Sequence, residues 1–189
     1  MGQTVVQDKR KVLGELQKAS QQTETLQASF ESKKTLSFMT TPQFSSGHFY
    51  FSKDGRIRWE QKKPSSYIIL VNNGELRISD NGKEVDVAHA GKVGQQLGTL
   101  IVKLVGGDFE DPKMFTNEVL ESSGVWIVQL TPTNKRLHDV YQMIELKFTK
   151  DKLQLQNLVF IEKNGDKNVM TFLNQEINVE IADSLFNNF

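Results

Sequence analysis

The chain contains no cysteine. Disulfide frameworks, thiolate metal sites and cysteine nucleophiles are thereby excluded together. It also lacks an excess of charge of either sign, since 23 Lys and Arg balance 23 Asp and Glu. A nucleic-acid-binding surface normally shows as a basic excess, so no nucleic-acid partner is expected. Long apolar runs are missing too. The run from Leu100 to Val105 has a lysine inside it and falls far short of the roughly 20 residues that a bilayer-crossing helix takes. After Met1 and Gly2 the chain goes directly into polar, amphipathic sequence, with no signal peptide in view. Either the protein is cytosolic or a leader has been removed ahead of Met1.

Catalytic motifs are equally scarce. His48, His89 and His138 lie far apart, without ligand partners at metal-site spacing. Gly91, Gly94 and Gly98 do not make a G-x-G-x-x-G fingerprint, and Gly82-Lys83 is followed by Glu84, not by Ser or Thr. No serine stands in G-x-S-x-G. The Glu110-Asp111 pair reads as a solvated loop. These absences point to a protein that is not an enzyme and needs no cofactor or metal.

What the chain does have is periodicity. Val5, Val12, Leu13, Leu16 and Ala19 recur at helical spacing, with cationic residues between them. Leu26 and Phe30 lead toward the first strand. From about Leu36 the period becomes two, and the apolar runs are punctuated by Asp54-Gly55, Asn73-Gly74, Asn81-Gly82 and Asn164-Gly165. Such pairs accept the positive φ angles of tight hairpin turns, so they predict antiparallel strands. Further strands are expected at 125–130, 141–149, 153–161 and 169–173, with a loop beginning Pro132-Thr133-Asn134-Lys135. One apolar-faced helix interrupts the series at 93–105, stopped by Gly106-Gly107. No linker or repeat divides the chain, so a single domain over 1–189 is expected.

The stretch GHFYFSKDGRIRWEQKKP, Gly47 to Pro64, holds the strongest signal. Alternation puts Phe49 and Phe51 on one face, and Ile57 and Trp59 likewise share a face. Arg56 and Arg58 take the other. The next run, Tyr67 to Val71, is apolar throughout, so periodicity does not say which of its residues face inward. Leu76 and Ile78 alternate with Glu75 and Arg77. The sheet is therefore amphipathic, and helices must cover its apolar face. On periodicity alone the covered face is read first as packed core, with a ligand cavity as the alternative.

The order of Gly47, Trp59, Pro64, an apolar strand and then Asn73-Gly74-Glu75-Leu76 resembles that of the LolA family of periplasmic outer-membrane lipoprotein carriers. LQASF (Leu26–Phe30), VWIVQLTP (Val125–Pro132), LVFIEKNGDKNVMTF (Leu158–Phe172) and the stretch from Asn178 through Ile181 to Phe186 are similar to family segments in the same order. The resemblance implies a mainly β fold with some α: a curved, incomplete antiparallel barrel, an N-terminal helix, and a lid helix over an apolar cavity. It implies an acyl cavity lined by Phe30, Phe49, Phe51, Ile57, Trp59, Ile68, Leu70, Leu76 and Ile78. Leu97, Leu100, Ile101 and Leu104 would form the lid's apolar face. It implies a periplasmic monomer that takes acylated lipoprotein from an inner-membrane ATP-driven exporter to an outer-membrane acceptor. The family often carries an arginine followed by proline in the opening hairpin, linked to lid closure and release. Here the matching pair is Lys53-Asp54, which makes Lys53 the release candidate while removing the planar fork of donors. The departure leaves room for a different lipid or lipid-linked polymer as cargo, or for a lipoprotein-binding stress sensor. An enzyme of envelope lipid metabolism is the alternative from another class.

Overall fold

In a computed structural model of the chain, the described residues are 2–86, 100–101 and 103–189. Twelve strands are hydrogen-bonded into one antiparallel sheet that does not close, in the order β1-β8-β9-β10-β11-β12-β2-β3-β4-β5-β6-β7. They are β1 (Thr4–Val5), β2 (Thr25–Thr35), β3 (Gln43–Ser52), β4 (Arg56–Lys63), β5 (Tyr67–Asn72), β6 (Glu75–Asp80), β7 (Lys83–Val85), β8 (Phe115–Ser122), β9 (Val125–Pro132), β10 (Tyr141–Thr149), β11 (Leu155–Glu162) and β12 (Lys167–Ile177). The helices among the described residues include α1 (Lys9–Gln21), α2 (Lys135–His138) and α3 (Ser184–Asn187). Leu100, Ile101, Lys103, Leu104 and Val105 are also helical. The expected helix at 93–105 otherwise lies outside the described residues.

The turn chemistry explains much of this order. At Asn73-Gly74 the φ angles are 50° and 79°, and at Asn81-Gly82 they are 48° and 78°. Two consecutive positive φ angles make the two-residue turn whose twist suits a hairpin, and Asn-Gly tolerates them best. At Asp54-Gly55 and Asn164-Gly165 only the glycine is left-handed, at 90° and 89°.

The chain divides into two compact units. The first contains residues 1–21, 32–43 and 107–172. Asp8 opens α1 by accepting a hydrogen bond from the Lys11 backbone N–H at 3.2 Å, which satisfies one of the helix's free donors. The helix packs on β8 and buries Val12, Leu13 and Leu16. Val5 does not join this stripe, contrary to the helical spacing. It pairs with Leu120 in the short strand β1 and is 58% exposed. Register puts Val128, Leu130, Ile144, Leu146, Phe148, Leu158, Phe160 and Met170 on one face of β9–β12, and all are buried. Where a loop was expected after Pro132, the Asn134 side chain accepts from the Arg136 backbone N–H at 3.0 Å and starts the one-turn helix α2.

The second unit contains residues 22–31, 44–106 and 173–189. It holds β3 to β7, α3 and the candidate site.

Candidate ligand-binding face

The site begins with the hairpin of β3 and β4. Phe49 is paired with Trp59, and Phe51 with Ile57. Directly paired residues of antiparallel strands point to the same side of a sheet, so these four share one face. The pairing continues across the unit. Ile57 meets Val71 and Trp59 meets Ile69; Val71 meets Leu76 and Ile69 meets Ile78; Ile78 meets Val85. Every residue in this ladder is apolar. Phe30 of β2 joins it through its ring, 4.3 Å from that of Trp59, and Phe49 meets the same indole edge-on at 6.0 Å. Phe30, Phe49, Phe51, Ile57 and Ile78 are buried, whereas Trp59, Ile69 and Leu76 remain partly exposed. The result is a continuous apolar strip from β3 to β7, with Trp59, Ile69 and Leu76 partly accessible along it.

The ladder corrects one part of the sequence reading. Ile68 and Leu70 are paired with Glu60 and Arg58 on one side, and with Ser79 and Arg77 on the other. They therefore lie on the opposite face from Trp59, and Ile69 and Val71 take the places expected of them. Leu100, Ile101 and Leu104 are buried, and Leu97 lies outside the described residues.

The opposite face is not a solvated charged surface. Its arginines hold the segment 183–189. Arg58, 5% exposed, donates from Nε to Glu60 Oε2 at 3.0 Å, and from Nη1 to the carbonyl oxygens of Leu185 at 3.1 Å and Asn188 at 2.6 Å. Arg56 donates to Asp54 at 2.9 Å and Asp183 at 2.7 Å, and stacks over the Phe186 ring at 4.7 Å. Arg77 forks onto Glu84 at 2.7 and 3.1 Å, donates to the Asn187 carbonyl at 2.9 Å and lies over Phe189 at 4.6 Å. That fork holds the Glu84 carboxyl below its usual range. Helix α3 packs on β4 and β5, and Phe186 is 1% exposed. A pocket of about 170 Å³ remains beside it, lined by Leu70, Asn72, Asn73, Glu75, Arg77, Phe186 and Asn187.

Lys53 sits in the turn between β3 and β4. Its Nζ is 2.7 Å from Glu24 Oε1, and both side chains are about half exposed or more, at 49% and 64%. Its backbone N–H also donates to the Glu24 carbonyl at 2.8 Å. Exposed pairs of this kind contribute at most about 1 kcal/mol. Lys53→Ala is thus expected to leave the thermal midpoint within about 3 °C of the parent, on the usual scaling for a chain of this size. A change in ligand release rate measured on that unaltered fold would assign Lys53 a role in release; an unchanged rate would remove it.

Sequence reasoning missed Ile69 and Val71 on the apolar face, and the Arg56–Arg58–Arg77 clasp on the other. Among the described residues no group of three His, Asp or Glu side chains is arranged to hold a metal ion.

An open antiparallel sheet with an aromatic, partly exposed apolar strip has the makings of a binding fold for apolar ligands. Comparison with known proteins narrows the class. The family model described as outer membrane lipoprotein carrier protein LolA matches residues 21–188. An outer-membrane lipoprotein carrier protein of Coxiella burnetii is 28% identical over 148 residues, which cover 76% of this chain and 66% of that protein. The match thus spans slightly less than two thirds of the relative's length. Among solved structures, an uncharacterized conserved protein of Thermus thermophilus superposes with a TM-score of 0.58 at 11% identity, covering 97% and 94% of the two chains. The Pseudomonas aeruginosa MucA/MucB complex gives 0.54 at 14% identity, covering 93% of this chain and 59% of the other. These two likenesses concern the fold. The family match decides membership: the chain belongs to the LolA family of outer membrane lipoprotein carrier proteins.

Proposed function

We propose that the protein is a periplasmic carrier that shields the acyl chains of lipoproteins, or of a related acylated lipid, against the Phe30–Phe49–Trp59 face and moves them from the inner to the outer membrane. The observation that carries this reading is the uninterrupted apolar ladder from Phe49 through Trp59, Ile69 and Ile78, in a chain of the LolA family. The work is transfer without chemistry. Each CH₂ taken from water contributes roughly 0.8 kcal/mol, so a few acyl carbons against this strip give useful affinity. Release then needs the strip covered by the protein's own groups when the ligand leaves. The buried side chains of Leu100, Ile101 and Leu104 are the proposed cover, and the equilibrium between covered and open strip is the element that cargo would shift. An ATP-driven exporter would load the carrier and an outer-membrane acceptor would unload it. Lys53 is retained as the release candidate.

Saturable binding of a fluorescent fatty acid, displaced by a synthetic lipopeptide, tests the reading. Trp59→Ala should lower fluorescent fatty-acid affinity about tenfold, equivalent to roughly 1.4 kcal/mol. Because the indole is partly exposed, the melting temperature should fall by only a few degrees. The reverse order, a large loss of stability with unaltered binding, would mean that the strip is packed core. A second reading has one observation in its favour: the MucA/MucB neighbour is a fold of this kind crystallised with a protein partner. Passage of bound lipopeptide to acceptor vesicles supports the carrier; retention of lipopeptide with recruitment of a protein partner supports a sensor.

A further inference from the structure

Among the described residues Phe38 is the most exposed of the large apolar side chains, at 78%, and its neighbour Met39 is 40% exposed. They lie at the tip of the connection between β2 and β3, LSFMTTP from Leu36 to Pro42. This tip has an anchored base. The Ser37 backbone N–H donates to the Asp166 carboxylate at 2.8 Å, and that carboxylate is buried. The Met39 N–H closes a turn onto the Leu36 carbonyl at 3.0 Å. Ser32 Oγ, on the same strand, donates to Asn168 Oδ1 at 2.6 Å. Two strands therefore fix where Phe38 and Met39 are displayed, although neither is covered.

The charges on the outside around the tip are mostly positive. From Ser32 to Gln43 the sequence has Lys33 and Lys34 and no acid. On the hairpin that holds Ser37, Lys163 and Lys167 are exposed, while Asp166 is buried and Glu162 is partly exposed at its foot. Hydrogen bonds from Ser37, with the nearby charge of Lys34, hold the Asp166 carboxyl below its usual range; it is engaged inward, and the surface around it still carries more lysines than acids.

We propose that the 36–42 tip is a membrane-contact wedge: Phe38 and Met39 enter the headgroup boundary of an anionic bilayer while Lys33, Lys34 and Lys167 face its lipid phosphates. An aromatic and a flexible thioether at a tip, ringed by lysines, is the pattern that gives weak, reversible attachment to such a surface. Two side chains are too few for a stable protein interface, which buries upward of about 1,000 Å². Its purpose rests on the carrier reading, since a carrier must present acyl chains at a bilayer, but its test does not.

The test is co-sedimentation of the full chain, free of cargo, with vesicles of phosphatidylethanolamine and phosphatidylglycerol at 3:1, against vesicles of phosphatidylcholine alone. The parent should bind the anionic vesicles and lose most of that binding at high salt. Phe38→Ser/Met39→Ser should weaken binding about tenfold, and Lys33→Gln/Lys34→Gln/Lys167→Gln by a similar factor. Leu173→Ser, which alters an exposed apolar residue elsewhere, should leave it unchanged. Because the chain has no native cysteine, a single environment-sensitive fluorophore at Thr40→Cys should shift to the blue on the anionic vesicles. Fatty-acid binding should be unaltered in all these variants, which separates failure of the wedge from failure of the carrier reading. Equal binding to both vesicle types, equal loss in Leu173→Ser, or an unshifted fluorophore would overturn the proposal. Loss of cargo transfer with vesicle binding intact would overturn it too, by making the tip a protein contact.

Discussion

Gly47→Ala is expected to be one of the most destabilising single-methyl additions the chain could receive. Gly47 sits where the β3–β4 register slips, paired with Gln61 while Ser46 pairs with Lys63. A Cβ at Gly47 would stand 1.9 Å from the Glu60 carbonyl oxygen, 2.8 Å from Gln61 Cα and 2.8 Å from the Glu60 carbonyl carbon. All three are backbone atoms of β4, so no side chain can rotate out of the way. The hairpin must open by more than an ångström or shift register, and either response costs about 3 kcal/mol, the upper end of ordinary overpacking. For a chain of this size that is a fall of roughly 6–12 °C in melting temperature. Gly14→Ala is the control. Gly14 is exposed within α1 and an added Cβ meets nothing within 4 Å, so it should stabilise by about 0.5–1 kcal/mol through helix propensity. Phe49, two residues beyond Gly47, is placed opposite Trp59 by this register, so fatty-acid binding should be lost along with the melting temperature. A melting temperature within about 2 °C of the parent would show that the two strands do not approach as closely as described.

The Asn-Gly pairs made the hairpins legible because their backbone preference is local. The same pairs also carried information that periodicity did not extract. In Tyr67–Val71 every residue is apolar, and alternation is silent there. Yet a two-residue turn at Asn73-Gly74 forces Asn72 opposite Glu75, and hence Val71 opposite Leu76 and Ile69 opposite Ile78. Since Leu76 and Ile78 were already read as inward, turn geometry alone would have selected Ile69 and Val71 over Ile68 and Leu70. Strand β8 was missed for a different reason. FTNEVLES has little alternation, and its turn, Ser123-Gly124, with φ of 77° at the glycine, is a weaker signal than Asn-Gly. Val5 shows the limit of helical spacing at a chain end: it fits the stripe, but ahead of Asp8, which caps α1, its backbone is already bonded to β8. The arginine clasp was beyond any such reading. Arg58 and Leu185 are 127 residues apart, and neither composition nor period links a charged strand face to a distant one-turn helix.

That clasp supports the second large prediction. Arg58→Met should destabilise the protein by about 3 kcal/mol, because removing one partner of a buried ion pair leaves the others without donors. The orphans would be the Glu60 carboxylate and the carbonyls of Leu185 and Asn188. Two routes of escape keep the figure from rising further. Glu60 retains 19% of its side-chain exposure and has Lys62 Nζ 3.9 Å away, and residues 183–189 can peel into water. The second route gives the prediction its distinctive readout: hydrogen exchange at 185–189 should accelerate far more than at β10, where the hydrogen-bond ladder to β9 and β11 is untouched. Arg58→Lys should recover only part of the loss, since an ammonium cannot direct one fork at both a carboxylate and two carbonyls. Arg58→Met/Glu60→Leu should recover more than Arg58→Met alone, because the orphaned carboxylate goes as well and two apolar side chains would then adjoin Ile68 and Leu70. If Arg58→Met lowers stability by under about 1 kcal/mol, or exchange rises uniformly along the chain, the arginines decorate this face and do not hold it. If the expected pattern is found, the opposite strip stays available for ligand because this side of the strands is already closed by the chain's own segment.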